Sequence, residues 1–133
     1  MQMTPEFMAL AGVLILALVQ ILLAATARTA ELGLKWNAGA RDGETPAPGK
    51  LAGRLLRAQA NLFETLPIFI AAILMAQMTA RDGTGLTLLG SHLYLLGRVL
   101  YLPLYAFGVA YIRSLAWGVS LVGLVMLIAA LFV

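Results

Sequence analysis

Four stretches of this chain are apolar over enough residues to cross a membrane as helices, and this pattern constrains the fold most strongly. A helix rises about 1.5 Å per residue, so about 20 apolar residues cross a hydrocarbon core of about 30 Å. The composition agrees, since the 133 residues are 62% hydrophobic and only 11% charged. Because lipid leaves backbone groups without partners, only helices or closed barrels can span it. The pattern predicts an all-α integral membrane protein with spans at about 7–27, 51–79, 86–110 and 114–133.

These spans predict a single domain over residues 1–133, a left-handed up-down four-helix bundle with a hydrophilic loop at 28–50. Basic residues are unevenly distributed: one side of the predicted bundle has only Arg81. The other side has Arg28, Lys35, Arg41, Lys50, Arg54, Arg57 and Arg113. By the positive-inside rule, loop 28–50 is cytoplasmic and both termini lie on the non-cytoplasmic side. The compact chain suggests a bacterial inner membrane.

Several classes of site are excluded or disfavoured by composition. The chain has no cysteine and one histidine, which excludes disulfides and argues against a transition-metal site. The net charge of +3 could indicate nucleic-acid binding in a soluble protein. Here the basic residues flank apolar runs, so membrane lipid is the expected partner and nucleic acid is not.

The beginning of the second span has an unusual polar face. At 100° per residue, Arg54, Arg57, Asn61 and Glu64 fall within about 80° of one another on a helix. The two arginines could be interfacial residues that reach lipid headgroups. A carboxylate deeper in the membrane costs about 2.5–3.5 kcal/mol, so Glu64 should face protein or a polar cavity. A purely structural ion pair between Arg57 and Glu64 remains an alternative.

The third span has a matching stripe. Tyr94, Arg98, Tyr101 and Tyr105 recur at intervals of four, three and four, and so occupy about 60° of the helix surface. Aromatic stripes are usually packing surfaces, but an arginine inside the membrane requires an anionic partner. Counted from the cytoplasmic ends, Arg98 and Glu64 lie at similar depth. The two faces predict one shared site that opens to the cytoplasm.

The charges of this site suggest the nature of its ligand. Arg54, Arg57, Arg98 and Arg113 outnumber the single carboxylate of Glu64. A ligand with several negative charges and one positive group would complement them. Glutathione, with two carboxylates, one ammonium and an ionisable thiol, fits this description.

The same residues carry a family resemblance. The run "RLLRAQANLFETLP" resembles the second-helix signature of the MAPEG superfamily, the membrane-associated proteins in eicosanoid and glutathione metabolism. The run "GRVLYLPLYAFGVAYIRS" resembles the family's third helix and the beginning of its fourth. The matching positions are Arg57, Asn61, Glu64, Pro67, Arg98, Tyr105 and Arg113. Length, span count and loop pattern extend the resemblance over essentially the whole chain.

The resemblance implies a homotrimer that binds glutathione between subunits near the cytoplasmic surface. It implies that Glu64 takes the γ-glutamyl ammonium, that Arg57 and Asn61 hold the peptide, and that Arg98 contacts a carboxylate. The expected glutathione-binding residues are Arg54, Arg57, Asn61, Glu64, Arg98, Tyr101 and Tyr105. Glutathione would be a co-substrate, and a lipophilic small molecule from the bilayer would be the second substrate.

The resemblance also implies a catalytic role for Arg113 beside the glutathione sulfur. A guanidinium next to a thiol favours the thiolate, which is the nucleophile. Two features differ from members that synthesise eicosanoids: Ala60 replaces a basic residue, and the spacing from Arg98 to Arg113 is one residue shorter. They favour glutathione conjugation or peroxide reduction over eicosanoid synthesis. Ser114 could either cap the fourth helix or touch a ligand.

Two alternatives remain open from the sequence. One is a membrane protein of the same fold that keeps the site without catalysis. The other is a small multidrug transporter, but such proteins have an essential glutamate in the first span, where this chain has only Gln20 in its interior.

Overall fold

The computed structural model describes residues 2–133, and within them every regular element is an α-helix. The helices are α1 (Pro5–Leu32), α2 (Leu34–Ala38), α3 (Lys50–Met78), α4 (Gly85–Ala106) and α5 (Ala110–Ala130). All but α2 are long and apolar enough to cross a membrane. Their lengths correspond to about 31–44 Å. The predicted four-helix integral membrane fold is confirmed.

Contacts between helix ends establish the up-down arrangement. Thr4, before α1, hydrogen-bonds Gln77 at the end of α3 at 3.4 Å. Glu6, in the first turn of α1, accepts a hydrogen bond from the backbone of Gly83, just before α4, at 2.6 Å. We call this the Glu6 end of the bundle. The opposite end, where α2, the start of α3 and the α4–α5 connection lie, is called the Arg113 end.

The first helix is longer than the predicted span. It begins at Pro5, because Thr4 caps it by accepting a hydrogen bond from the amide of Phe7 and proline suits the first helical position. It continues to Leu32, five residues beyond the predicted limit at 27, and ends at Gly33 with φ of 89°. The predicted loop 28–50 therefore contains the last turn of α1 and all of α2.

The connection between the last two helices also differs from the prediction. α4 ends at Ala106 rather than near 110, and α5 begins at Ala110 rather than near 114. Ser114 consequently lies inside α5, where its hydroxyl donates to the carbonyl of Ala110 at 3.4 Å. The suggestion that Ser114 caps this helix is therefore wrong. Hydropathy missed the break because the residues on both sides of Gly108 are apolar.

The core brings the four long helices together. Its buried members include Val13 of α1, Leu62 and Phe69 of α3, and Leu127 of α5. Tyr94 of α4 stacks on Phe69 with ring centroids 4.1 Å apart. The Tyr94 hydroxyl and the hydroxyl of Thr65 are 2.7 Å apart, so the buried phenol has a hydrogen-bond partner. The first tyrosine of the predicted stripe thus serves packing.

Glycines allow α4 and α5 to pack very closely. A Cβ added at Gly97 of α4 would lie 2.7 Å from both the carbonyl oxygen of Ala116 and the amide nitrogen of Ser120 in α5. At Gly123 of α5 it would lie 2.5 Å from the carbonyl oxygen of Gly90. Small residues permit this approach in membrane helices, where van der Waals packing drives association. The contact fixes α5 against α4, and with it the residues that α5 brings to the Arg113 end.

A buried carboxylate holds the Glu6 end together. Glu6 is 2% exposed, and its Oε1 accepts hydrogen bonds from the amide of Gly83 and, at 2.7 Å, from the hydroxyl of Thr87. Thr84 caps α4 at the same place through a reciprocal bond with Thr87. A carboxylate beside the N-terminus of a helix is favoured by the helix dipole. Glu6 therefore joins α1 to the beginning of α4.

Candidate functional site

A polar pocket of about 270 Å³ lies at the Arg113 end, between α3, α4 and α5. Its lining consists of Asn61, Tyr101, Tyr105, Arg113, Ser114 and Trp117. Four of these six residues are among the predicted site residues, and they come from three different helices. Asn61 from the polar face of α3 lines the same pocket as Tyr101 and Tyr105 from the stripe of α4. That these two faces form one ligand site stays a prediction.

Arg98 lies behind the pocket and orients Asn61. It is completely buried, and its Nη1 donates to Asn61 Oδ1 at 2.7 Å. Because the amide oxygen is taken by Arg98, the Nδ2 hydrogens of Asn61 are available as donors to a ligand. The Arg98 guanidinium also lies over the ring of Tyr101, 4.5 Å from its centroid. Its Nε and Nη2 are buried without a partner among the described residues.

This arrangement changes the expected role of Arg98. The sequence suggests a carboxylate partner for this arginine, yet within residues 2–133 the partners are an amide oxygen and an aromatic face. A positive charge behind Asn61 polarises the amide and strengthens its N–H groups as donors to an anion. Arg98 therefore contributes its charge to the pocket through Asn61.

Tyr105 lies between two arginines. The Arg113 guanidinium lies over its ring, 4.6 Å from the centroid, and Arg57 Nε donates to its hydroxyl at 3.1 Å. The ring also contacts Tyr101, with centroids 5.5 Å apart. The aromatic face stabilises the nearby cation, and the hydrogen bond limits the motion of the phenol. Arg113 is thus held in place by a cation–π contact while its N–H groups remain available.

Glu64 lies on the exposed surface of the single chain. It is 14 residues from both ends of α3, and no hydrogen bond or ion pair joins it to another described residue. The alternative of an ion pair with Arg57 is therefore not realised in residues 2–133, whose only side-chain ion pair joins Arg28 to Glu31. The expectation that Glu64 faces protein or a polar cavity is not met within one chain. A carboxylate at the middle of a membrane helix is costly when it contacts lipid.

Arg54 lies beside the pocket rather than in its lining. Its Nη1 is 3.4 Å from the carbonyl oxygen of Ala106, at the end of α4. The guanidinium packs against Gly108 in the α4–α5 connection. Of the predicted binding residues, Arg54, Arg57, Glu64 and Arg98 are outside the pocket lining, although the side chains of Arg57 and Arg98 contact residues that line it.

Trp117 lines the pocket but is not among the site residues expected from the sequence. It is four residues after Arg113, so both lie on the same side of α5. That spacing is the sequence signal that could have included it. Trp117 and Tyr101 give the pocket an apolar side next to its polar groups, which suits a ligand with both characters.

The pocket can bind an anion and stabilise a developing negative charge. Its lining contains one cation, an oriented amide, two phenols and a hydroxyl, and it contains no carboxylate. Guanidinium groups form strong, short hydrogen bonds to anionic acceptors. Near a thiol, the same guanidinium would favour ionisation to the thiolate. No cluster of three or more metal-binding side chains occurs in the described part of the chain.

Comparison with known proteins identifies the family. A search of curated proteins finds no match to this chain. The family model described as "MAPEG family" matches residues 8–133. The match includes α3, α4 and α5, and therefore every residue of the pocket lining. With nearly its entire length covered by the family model, this four-helix membrane protein belongs to the MAPEG family.

Proposed function

We propose that the protein is a glutathione-dependent membrane transferase or peroxidase that activates the glutathione thiol toward lipophilic electrophiles. The observation that carries the proposal is Arg113, a partly exposed guanidinium in a pocket of hydrogen-bond donors without a carboxylate. Such a pocket favours a negatively charged ligand, and glutathione also supplies the thiol that this cysteine-free chain lacks. Family membership is consistent with this activity.

In this proposal, the tripeptide extends beyond the pocket along α3. A volume of about 270 Å³ lies just below the usual range for small-molecule sites, which begins at about 300 Å³. Asn61 would donate to the peptide, and Arg57 and Arg98 would supply positive charge to its carboxylates. Glu64 would bind the ammonium group. Tyr101 and Tyr105 would line the ligand.

The exposed position of Glu64 supports an oligomer. A single chain leaves this carboxylate uncovered at the middle of a membrane helix, which is costly in lipid. A neighbouring subunit packed on this face of α3 would exclude lipid and complete the ligand site. We propose a homotrimer, the assembly that the resemblance to the MAPEG family implies.

The chemistry would proceed in two steps. First, Arg113 would stabilise the thiolate while the thiol proton passes to water at the cytoplasmic side. Second, the thiolate sulfur would attack an electrophilic atom of the lipophilic substrate, forming a bond to sulfur while a leaving group departs with the bonding electrons. The substrate would arrive laterally from the bilayer, since the pocket lies between membrane helices. A cytoplasmic opening follows from the predicted orientation of the basic residues.

The test is a titration of detergent-purified protein with glutathione, followed by calorimetry and by the ultraviolet absorbance of the thiolate. We expect saturable binding and a thiolate signal at neutral pH. Binding without thiolate would favour a non-catalytic member of the family. If no binding is detected in a folded, monodisperse sample, the proposal is wrong.

A further inference from the structure

Arg54 makes contacts that differ from those of the other predicted binding residues. It lies in the second turn of α3, and its side chain crosses to the end of α4. The Arg54 Nη1 is within hydrogen-bond distance of the carbonyl oxygen of Ala106. This carbonyl belongs to the last turn of α4, where backbone acceptors lack helical partners and carry partial negative charge. A guanidinium there satisfies an acceptor and complements the helix dipole.

The same guanidinium occupies the space beside Gly108. A Cβ at this glycine would lie 2.7 Å from Arg54 Nη2 and 2.8 Å from Cζ. Gly108 has φ of 73°, a conformation that costs little for glycine and more for other residues. Two features thus require glycine at this position: its backbone conformation and the presence of Arg54.

Gly108 ends α4 in a Schellman motif. The amide of Val109 donates to the carbonyl of Leu104 at 2.9 Å, and the amide of Gly108 donates to that of Tyr105 at 3.0 Å. These are the two hydrogen bonds that define the motif. The carbonyl of Ala106 takes part in neither bond. Arg54 therefore completes the hydrogen bonding of this helix end from a different helix.

The direction of α5 depends on residues 106–109, the corner between α4 and α5. α5 begins at Ala110, only two residues after Gly108, and Arg113 lies in its first turn. Arg113 must reach the pocket from there, over the ring of Tyr105. Tyr105 is itself part of the Schellman motif. A change in the corner would therefore displace both residues of this cation–π contact, Tyr105 and Arg113.

We propose that Arg54 is a positioning residue. It joins α3 to the α4–α5 corner, defined as residues 106–109, and so sets the position from which Arg113 acts on the bound ligand. This inference rests on the proposed function for its effect on the thiol, because Arg113 is the group that would favour the thiolate. It departs from the prediction that Arg54 itself binds glutathione.

The experiment compares three substitutions in the full-length protein. Arg54→Gln removes the charge, Arg54→Lys keeps a donor for the carbonyl of Ala106, and Gly108→Ala disturbs the corner without altering any predicted ligand group. Lys50→Gln controls for the loss of a cation at the same helix end. Gly85→Ala controls for the change of glycine, since a Cβ there meets nothing within 4 Å.

Three quantities are measured for each variant: hydrogen exchange at the corner amides, glutathione affinity by calorimetry, and the pH midpoint of thiolate absorbance in the complex. In Arg54→Gln and Gly108→Ala we expect faster hydrogen exchange at the corner amides. We also expect a higher pH midpoint of thiolate absorbance, with about threefold less thiolate at neutral pH. The affinity for glutathione should change much less than the thiolate midpoint does. Arg54→Lys should restore part of both effects, and the two controls should match the unmodified protein.

A different result would show that Arg54 contacts the ligand directly. In that case Arg54→Gln would lose about tenfold or more in affinity while corner exchange stays unchanged, and Gly108→Ala would titrate normally. The positioning role is overturned by an affinity loss with unchanged corner exchange in Arg54→Gln, and equally by a normal titration of Gly108→Ala. If the unmodified protein binds no glutathione, the proposed function fails by itself. Hydrogen exchange then still decides whether Arg54 holds the corner, because that measurement needs no ligand.

Discussion

Arg98 donates from Nη1 to the side-chain oxygen of Asn61 at 2.7 Å, and this bond connects the polar face of α3 to that of α4. The arginine is fully buried, whereas the asparagine reaches the pocket. The pair therefore has two consequences. It stabilises a charge inside the bundle, and it orients an amide toward the pocket.

The first prediction concerns the stability of this pair. Asn61→Leu removes the acceptor and leaves every N–H group of Arg98 without a hydrogen bond in the described chain, so we expect a loss of about 1.5–3 kcal/mol. Asn61→Asp should retain stability, because a carboxylate pairs with the guanidinium. Thermal unfolding in detergent measures both, with Gln59→Leu as the control on the same helix. Equal stability of Asn61→Leu and the control would contradict the prediction.

Glu64 provides the second prediction. Glu64→Gln preserves the shape of the side chain but removes the charge that would bind the ammonium group of glutathione. We expect glutathione binding to weaken by about 1.5–3 kcal/mol. Calorimetry measures the change, and Glu44→Gln in the exposed loop serves as the control. Unaltered affinity would exclude Glu64 from the ligand site.

The third prediction separates binding from turnover at Arg113. Arg113→Ala should decrease kcat more than it weakens glutathione binding, because the guanidinium would stabilise the thiolate. Arg113→Lys should recover part of the turnover, since it retains a cation without the planar geometry. Steady-state kinetics with an electrophile and calorimetry together give the comparison. A pure binding loss, with unchanged kcat, would remove the catalytic assignment.

The fourth prediction tests the close packing of α4 and α5. Gly97→Ala would place a methyl group 2.7 Å from backbone atoms of α5, so we expect destabilisation of about 1–3 kcal/mol. Gly118→Ala is the matched control: it lies within α5, and a Cβ there meets nothing within 4 Å. The control should gain up to about 1 kcal/mol from the better helix propensity of alanine. Similar unfolding temperatures for the two variants would contradict the packing argument.

The fifth prediction concerns the Glu6 end of the bundle. Thr87→Val keeps the volume of the side chain but removes the hydroxyl that donates to the buried carboxylate of Glu6. The carboxylate would keep the amide of Gly83, and the amide of Thr84 would lose the Thr87 hydroxyl as its acceptor, so we expect a total loss of about 1.5–3 kcal/mol. Thr79→Val is the control, because that hydroxyl donates only to carbonyls in the last turn of α3, the helix that Thr79 follows. Chemical or thermal unfolding measures the stability of both variants, and equal stability of Thr87→Val and Thr79→Val would contradict the prediction.

Hydropathy and helical periodicity predicted much of this protein from its sequence. Hydropathy is a local property, so four spans could be recognised without knowledge of their partners. Periodicity correctly placed Asn61 on one face of α3 and Tyr101 and Tyr105 on one face of α4, because a regular helix determines which residues share a side. The pocket forms where these two faces meet α5, which brings Arg113 to it.

The partners of the charged residues were decided by the tertiary structure. Arg98 bonds an amide instead of a carboxylate, Glu64 has no partner in the described chain, and Arg54 binds the end of another helix. Sequence spacing gives the angle of a side chain around its own helix, but a hydrogen bond requires the distance and rotation between helices. Those depend on glycine contacts between α4 and α5 and on the left-handed Gly108. Hydropathy gives no signal for the glycine contacts or for the left-handed Gly108, because all of these glycines lie within apolar sequence.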